Sequence, residues 1–360
     1  MILINAKKDV LYFTVLFLFF LTINSCNVKP ESQPLPISVK STLNLLQENP
    51  QFVMYMNFKN MRRTDFWKGN VSDSLLNAEK TFGSLLNTFK TATGASISDG
   101  LDELYYSNSW FGENAIVIKG VLDQNKLSAF LEKDTVFTVT KNADGINVYQ
   151  MTDNGLYFYF RDNNTICASN YLKQLDVMLA VKDTSRSGIL QNEKLYNSIQ
   201  DIMYKDDIWM ISSEKIFIKG IFQNFLQSTT GGKIEESDTA EISDSSSVID
   251  SLALKKNLTI ENLYKTFSSI SFSVKMSNQL EMLIQCECVN EESSKYLKSI
   301  LNGIISVAKI SSAGSKKNNS MKLLDDLKLN RYDNSVFIEL NVNEKNIKEL
   351  RNANLLNAPE

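Results

Sequence analysis

From residue 52 onward the chain switches between two periods. Apolar residues alternate with polar ones, or run unbroken for a few positions, in 52–58, 104–109, 114–121, 136–141, 146–152, 156–162 and 165–168, which predicts strands. The same signature returns in 208–211, 269–276, 281–289 and 336–340. Between these runs apolar residues recur at helical spacing, each series opening on a residue able to cap a helix. Ser72 or Asp73 precedes Leu75, Leu76, Phe82, Leu85, Leu86 and Phe89; Asp123 precedes Leu127, Phe130 and Leu131; Ser169 precedes Leu172, Leu175, Met178 and Leu179. Downstream, Ser212 or Ser213 precedes Ile216, Phe217 and Ile221, Asn290 precedes Leu297, Ile300 and Leu301, and Asn343 precedes Ile347 and Leu350. A short helix is expected at 42–47, Met61, Phe66 and Trp67 are expected to pack over the sheet edge, and Asn142-Ala143-Asp144-Gly145 reads as a turn.

The order of elements repeats. The strand at 208–211 matches the strand at 52–58, the junction Val289-Asn290 echoes Leu122-Asp123, and the last strand echoes those at 156–162. The expected fold is therefore α+β, with mainly antiparallel sheets covered by helices and two similar halves from an internal duplication, 42–205 and 206–352, followed by a tail at 353–360. The alternative is one large α+β domain that uses strand, cap and helix by default. In the stretch Val117 to Leu131 a strand ending near Gly120 runs into an Asp-capped helix. This resembles a loosely defined group of uncharacterised, duplicated α+β bacterial envelope proteins, a resemblance that brings no activity with it.

Ahead of the body, Lys7 and Lys8 precede a run from Val10 to Ile23 of 14 mostly apolar residues, and Ser25-Cys26 follows closely. A bilayer-spanning helix needs about 20 apolar residues, whereas a secretory signal needs roughly 7–15 after a basic flank. The run therefore reads as an export signal. Its end resembles a bacterial lipoprotein signal, in which a small residue precedes a cysteine that is lipidated and becomes the new N-terminus; Ile23 and Asn24 depart from the usual pattern. The resemblance implies a signal peptide at 1–25, acyl chains on Cys26, and a body hung from a membrane of the cell envelope in the periplasm or at the cell surface. Ordinary secretion with cleavage near Ser25 is the other reading of the same residues. Asn27 leans toward the outer membrane. Residues 26–41, with Pro30, Pro34 and Pro36, are expected to form a flexible tether.

Composition narrows the chemistry. A formal charge of −3 without a Lys/Arg block gives no reason to expect nucleic acid as a partner. Histidine is absent from all 360 residues, which removes Ser-His and Cys-His catalysis and the commonest zinc ligand. Of 4 cysteines, Cys167, Cys286 and Cys288 remain for the body. Cys286 and Cys288 share one face of a strand and read as buried small apolar residues rather than a metal or redox pair.

Several motifs bear on function. Ser212-Ser213-Glu214-Lys215 matches the Ser-x-x-Lys of penicillin-binding enzymes and Tyr332-Asp333-Asn334 resembles their second motif, but Ser306-Val307-Ala308-Lys309 matches equally and no Lys-Thr-Gly follows. Thr230-Gly231-Gly232-Lys233 lacks the spacing of a phosphate loop. The insert at 228–250, rich in Ser and carboxylates, lacks the fixed offsets of a calcium loop. The pairs Asp102 and Glu103, Asp206 and Asp207, and Asp325 and Asp326 read as adjacent surface carboxylates. Tyr149, Tyr157 and Tyr159 are the candidate ligand-binding residues, because Tyr157 and Tyr159 share one strand face and an exposed tyrosine platform suits a glycan or peptide. Neither a cofactor nor a metal site is expected. The sequence favours a non-catalytic, lipid-anchored binding or structural module that engages an envelope protein, peptide or glycan through a sheet face or a groove between halves. A His-independent serine, lysine or carboxylate hydrolase or transferase is the alternative.

Overall fold

The computed structural model describes residues 29–70, 99–152, 155–182, 186–203, 205–221, 264–313 and 325–346. The run at 10–26, Cys26, the helix expected around 75–89, residues 230–233, the insert at 228–250 and the helix expected from Ile347 lie outside the described residues. The chain divides into two compact units, Met1–Glu31 and Ser32–Glu360. In the first, residues 29–31 are described and form no regular structure. The second carries the fold.

Among its described residues the strands form one antiparallel sheet of 12: β1 (Phe52–Asn57), β2 (Leu101–Asn108), β3 (Asn114–Gly120), β4 (Phe137–Lys141), β5 (Asn147–Met151), β6 (Tyr157–Asp162), β7 (Thr165–Ser169), β8 (Ile208–Ser212), β9 (Phe267–Met276), β10 (Leu280–Cys288), β11 (Lys328–Tyr332) and β12 (Ser335–Val342). They lie in the order β11-β12-β10-β9-β8-β1-β2-β3-β7-β6-β5-β4. The expected halves thus sit side by side in a single sheet, joined where β1 pairs antiparallel with β8. Going outward from that seam, the first half runs β1-β2-β3-β7-β6 and the second β8-β9-β10-β12-β11. Counted outward from the seam, β12 stands in the same place as β7, and β11 in the same place as β6.

Alternation along each strand divides the side chains between two faces. On one, Val53, Tyr55, Tyr105, Val117, Cys167 and Tyr159 join Trp209 and Ile211 in a buried cluster. It is covered by helices α1 (Ile37–Leu43), α5 (Leu172–Ala180) and α6 (Glu193–Gln200), through Leu43, Leu175, Met178, Leu195 and Ile199. On the other face α2 (Phe58–Met61), α3 (Asp65–Asn70) and α4 (Gln124–Leu131) cover the first half, and Phe58, Met61, Trp67, Leu127 and Leu131 enter its core. The second half has α7 (Glu291–Ala313) there, whose Leu297, Ile300 and Leu301 pack on Ile270, Cys286, Cys288 and Val336.

Caps begin several helices where the sequence places them. Asp123 accepts from Lys126 N at 3.0 Å and Asn290 from Ser293 N at 2.8 Å. Ser169 is displaced from this role: α5 starts at Leu172, and Ser169 Oγ instead accepts from Tyr171 N and donates to Asn114 O.

The packed body begins earlier than the expected tether allows. Leu35 is buried, and α1 occupies residues read as flexible chain. The segment after α1 is fastened by Ser187, which donates through N to Asn44 Oδ1 and through Oγ to Asn44 O, both at 3.1 Å. The next residue, Gly188, has φ +51°, and a Cβ there would stand 2.2 Å from Leu46 O and 2.6 Å from Asn44 O. Only glycine allows that approach.

Candidate functional site

The three tyrosines singled out as a platform do not form one. Tyr149 pairs with Phe158 across β5 and β6 and faces the α4 side, whereas Tyr159 faces the α1 side with Tyr157 beside it. Tyr149 is 1% exposed and Tyr159 2%, and Tyr157 is half-buried. Tyr149 Oη donates to Ser128 Oγ at 3.2 Å on α4, and its ring stacks on Phe158 at 5.2 Å. These rings are core, and the reading of an exposed face fails because helices cover the first half of the sheet on both sides.

The polar cluster that the fold does assemble lies on the α1 side and was not foreseen from the sequence. Trp209, Tyr55, Tyr105, Val117, Cys167 and Tyr159 stand directly opposite one another across β8, β1, β2, β3, β7 and β6. Two residues further along β3, Lys119 reaches over Tyr105, with Nζ 5.2 Å from the ring centre. The same ammonium donates to Thr42 Oγ1 at 2.6 Å and lies 3.8 Å from Glu103 Oε2, which also accepts from Tyr105 Oη at 3.3 Å. Burial lowers the Lys119 pKa, and the nearby Glu103 carboxylate opposes that shift. On the α2 side of the sheet, Arg62 binds Leu101 O and Asp102, and Lys59 meets Asp102 at 3.2 Å. The arrangement clamps α1 to the sheet through a lysine whose ammonium meets a hydroxyl, a carboxylate and an aromatic face.

Burial raises the phenol pKa of Tyr55, Tyr105 and Tyr159, with Glu103 adding to the shift at the first two and Cys167 at the third. A phenol whose folded pKa lies above the ordinary value of 10.0 stabilises the fold fully below that pH and ceases to as pH rises above it. Lys119 acts with opposite sign, since its lowered pKa makes stability rise between that pKa and 10.5. Three phenols against one amine predict alkaline unfolding above about pH 10. In an absorbance titration, exposed tyrosines are expected to ionise first, and these three only together with loss of near-ultraviolet circular dichroism. Ionisation of all tyrosines with the fold intact would contradict the burial account.

The other candidates are placed as follows. Ser212 Oγ donates to Gln51 O at 2.5 Å and accepts from Glu214 N at 3.1 Å, so it caps the helical segment that starts at 215, while Lys215 is exposed. Ser306 Oγ bonds back to Asn302 O within α7, and Lys309 pairs with Asp325. Tyr332, Asp333 and Asn334 form the turn into β12, where Asn334 Nδ2 donates to Glu287 Oε1 at 2.6 Å. Cys167, Cys286 and Cys288 are free and buried. Burial lifts the Cys167 thiol to about 11 and the Cys288 thiol to about 12, so neither is a ready nucleophile.

Asp207 departs most from expectation. Read as a surface carboxylate, it is 0% exposed at the start of β8. Its Oδ1 accepts from Asn60 Nδ2 and its Oδ2 from Met276 N at 2.7 Å; its backbone accepts from Asn57 N at 2.7 Å and donates to Val274 O at 2.9 Å. One residue thus ties β1, α2 and β9 to the seam strand. No sequence motif marks it.

No protein-family model matches the chain, and no curated protein matches it. Among solved structures the chain is similar to three crystal forms of TP0453. Form III aligns with a TM-score of 0.46 at 7% identity over 90% of this chain and 100% of that one. Form I gives 0.45 at 8% identity over 88% and 97%, and form IV 0.43 at 8% over 91% and 97%.

Proposed function

We propose that this protein is a lipid-anchored component of the bacterial cell envelope whose body is a non-catalytic binding or structural module. The observation that carries the reading is the apolar run from Val10 that stops at Ser25-Cys26 after two lysines. The use made of Ser212 supports the non-catalytic part. A Ser-x-x-Lys nucleophile would have to present its hydroxyl to a substrate, yet this one bridges Gln51 O and Glu214 N as a helix cap. With the tyrosines buried and β1 bonded to β8, neither the first-half sheet faces nor the seam offers the binding surface read from the sequence, and loops at the sheet ends take that role. We also propose that the halves descend from a duplication, in which β4 and β5 are an added hairpin. The order β1-β2-β3-β7-β6 against β8-β9-β10-β12-β11 supports this.

Labelling of cells with radioactive palmitate tests the anchor. The wild-type chain is expected to take up label and sediment with membranes, and Cys26→Ala to do neither. Label retained by Cys26→Ala, or a wild-type chain released unlabelled into the soluble fraction, would overturn the assignment. Protease digestion of intact against lysed cells then tells surface from periplasm.

A further inference from the structure

At one end of the sheet three loops bring apolar side chains into water together: the β2–β3 turn, the β7–α5 junction and the residues after β8. Phe111 is 91% exposed, Ile216 67%, Leu172 46%, Trp110 44% and Tyr171 38%. The loops are bonded to one another. Asn170 Nδ2 donates to Gly112 O at 2.9 Å, Asn114 N donates to Asn170 Oδ1 at 2.7 Å, and Trp110 Nε1 lies 3.5 Å from Glu214 Oε2. Gly112, at φ +77°, closes the turn through a bond from its N to Ser109 O at 3.1 Å and leaves Phe111 projecting. From β7 to β8 the sheet order crosses four strand spacings, so the cluster spans about 20 Å.

We propose that this loop cluster is a membrane-contact surface that settles into an anionic lipid headgroup layer, which deepens the anchored-protein reading by naming the partner of the sheet end. Two observations favour lipid. Trp and Tyr beside Phe, Leu and Ile is the mixture that partitions to the bilayer interface, with apolar bodies inward and polar tips at the headgroups. Among the charged groups of these loops, Lys173 and Lys215 are exposed next to Leu172 and Ile216, while the half-buried Glu113 and Glu214 face the Ser109 hydroxyl and the Trp110 indole. An anionic surface meets ammonium groups first.

The full chain in vesicles tests this through Trp110, because Trp67 and Trp209 are 8% and 1% exposed and shielded from quenchers. In vesicles containing phosphatidylglycerol, lipids brominated on the acyl chains are expected to quench Trp110, and its emission to shift to the blue. Trp110→Phe should remove the quenched component. Phe111→Ser, at a position where the side chain touches little protein, should weaken docking about tenfold while leaving circular dichroism unchanged. Aqueous iodide quenching that is the same with and without anionic vesicles would overturn the proposal. So would an emission shift that follows protein concentration without lipid, which would make a second copy of the chain the occupant. Palmitate labelling reads only Cys26 and bromolipid quenching only Trp110, so failure of the anchor and failure of the surface are separately visible.

Discussion

Asp207→Ala is expected to lower the free energy of unfolding by about 1–3 kcal/mol, the cost of leaving the Met276 N–H without its acceptor, while the exposed Asn60 amide turns to water. The donors are the Asn60 amide and Met276 N–H, both aimed at a side chain that no water reaches. Typical domains are stable by about 5–15 kcal/mol, so this loss is a sizeable fraction of the total. Asp207→Asn keeps the shape and one carbonyl acceptor and should lose less. Urea unfolding distinguishes the cases: a fall in midpoint at unchanged slope is expected for both, in the order Ala below Asn below wild type. Equal stability of Asp207→Ala and wild type would remove the seam role assigned to this residue.

Trp209→Ala is expected to cost about 3–5 kcal/mol, the range for emptying a large aromatic site in a packed core. Trp209 is 1% exposed on β8 and stacks on Tyr55 of β1 at 5.4 Å, so the cavity would open at the joint between the halves. Its indole Nε1 is buried with no hydrogen-bond partner among the described residues. Trp209→Phe therefore removes apolar contact and an unpaired donor together, and these partly cancel. It should lie within about 1 kcal/mol of wild type. A loss for Trp209→Phe as large as that for Trp209→Ala would mean the indole nitrogen is in fact satisfied.

Much of the fold was legible in the alternation of residues. Strands came out within a few residues of their observed ends, because each half-buried strand writes its face into every second position. The Asp123 and Asn290 caps were legible for a local reason as well: a side-chain oxygen and the helix it starts are neighbours in sequence. Elements with weak patterns escaped. β11 (Lys328–Tyr332) is an edge strand with Lys, Asn and Arg in it and reads as loop, and α6 shows only Leu195 and Ile199 as buried anchors. α1 was hidden by the prolines before it, though Pro36 is a legitimate residue just ahead of a first helical turn.

The sites were much less legible than the strands. Tyr157 and Tyr159 were correctly given one face, but alternation does not say whether a helix lies over that face. The meeting of Lys119 with Glu103, Tyr105 and Thr42, like that of Asp207 with Asn60 and Met276, depends on which strands become neighbours. Such long-range pairing leaves no local mark. Adjacent carboxylates such as Asp206 and Asp207 look alike in sequence and differ only in what surrounds them.

The seam also sets the order in which the molecule is completed. β1 belongs to the first 60 residues, yet its second neighbour, β8, is not made until residue 212. Until then Phe-Val-Met-Tyr-Met-Asn is an open sheet edge with no proline or charge to blunt it, the kind of strand that recruits other chains. Closing the long loop costs little free energy, because that cost grows only with the logarithm of loop length, so the delay is one of time. A chain that stops short of β8 is thus not a smaller stable protein but a sticky one, and protection of β1 during synthesis becomes a requirement of the architecture.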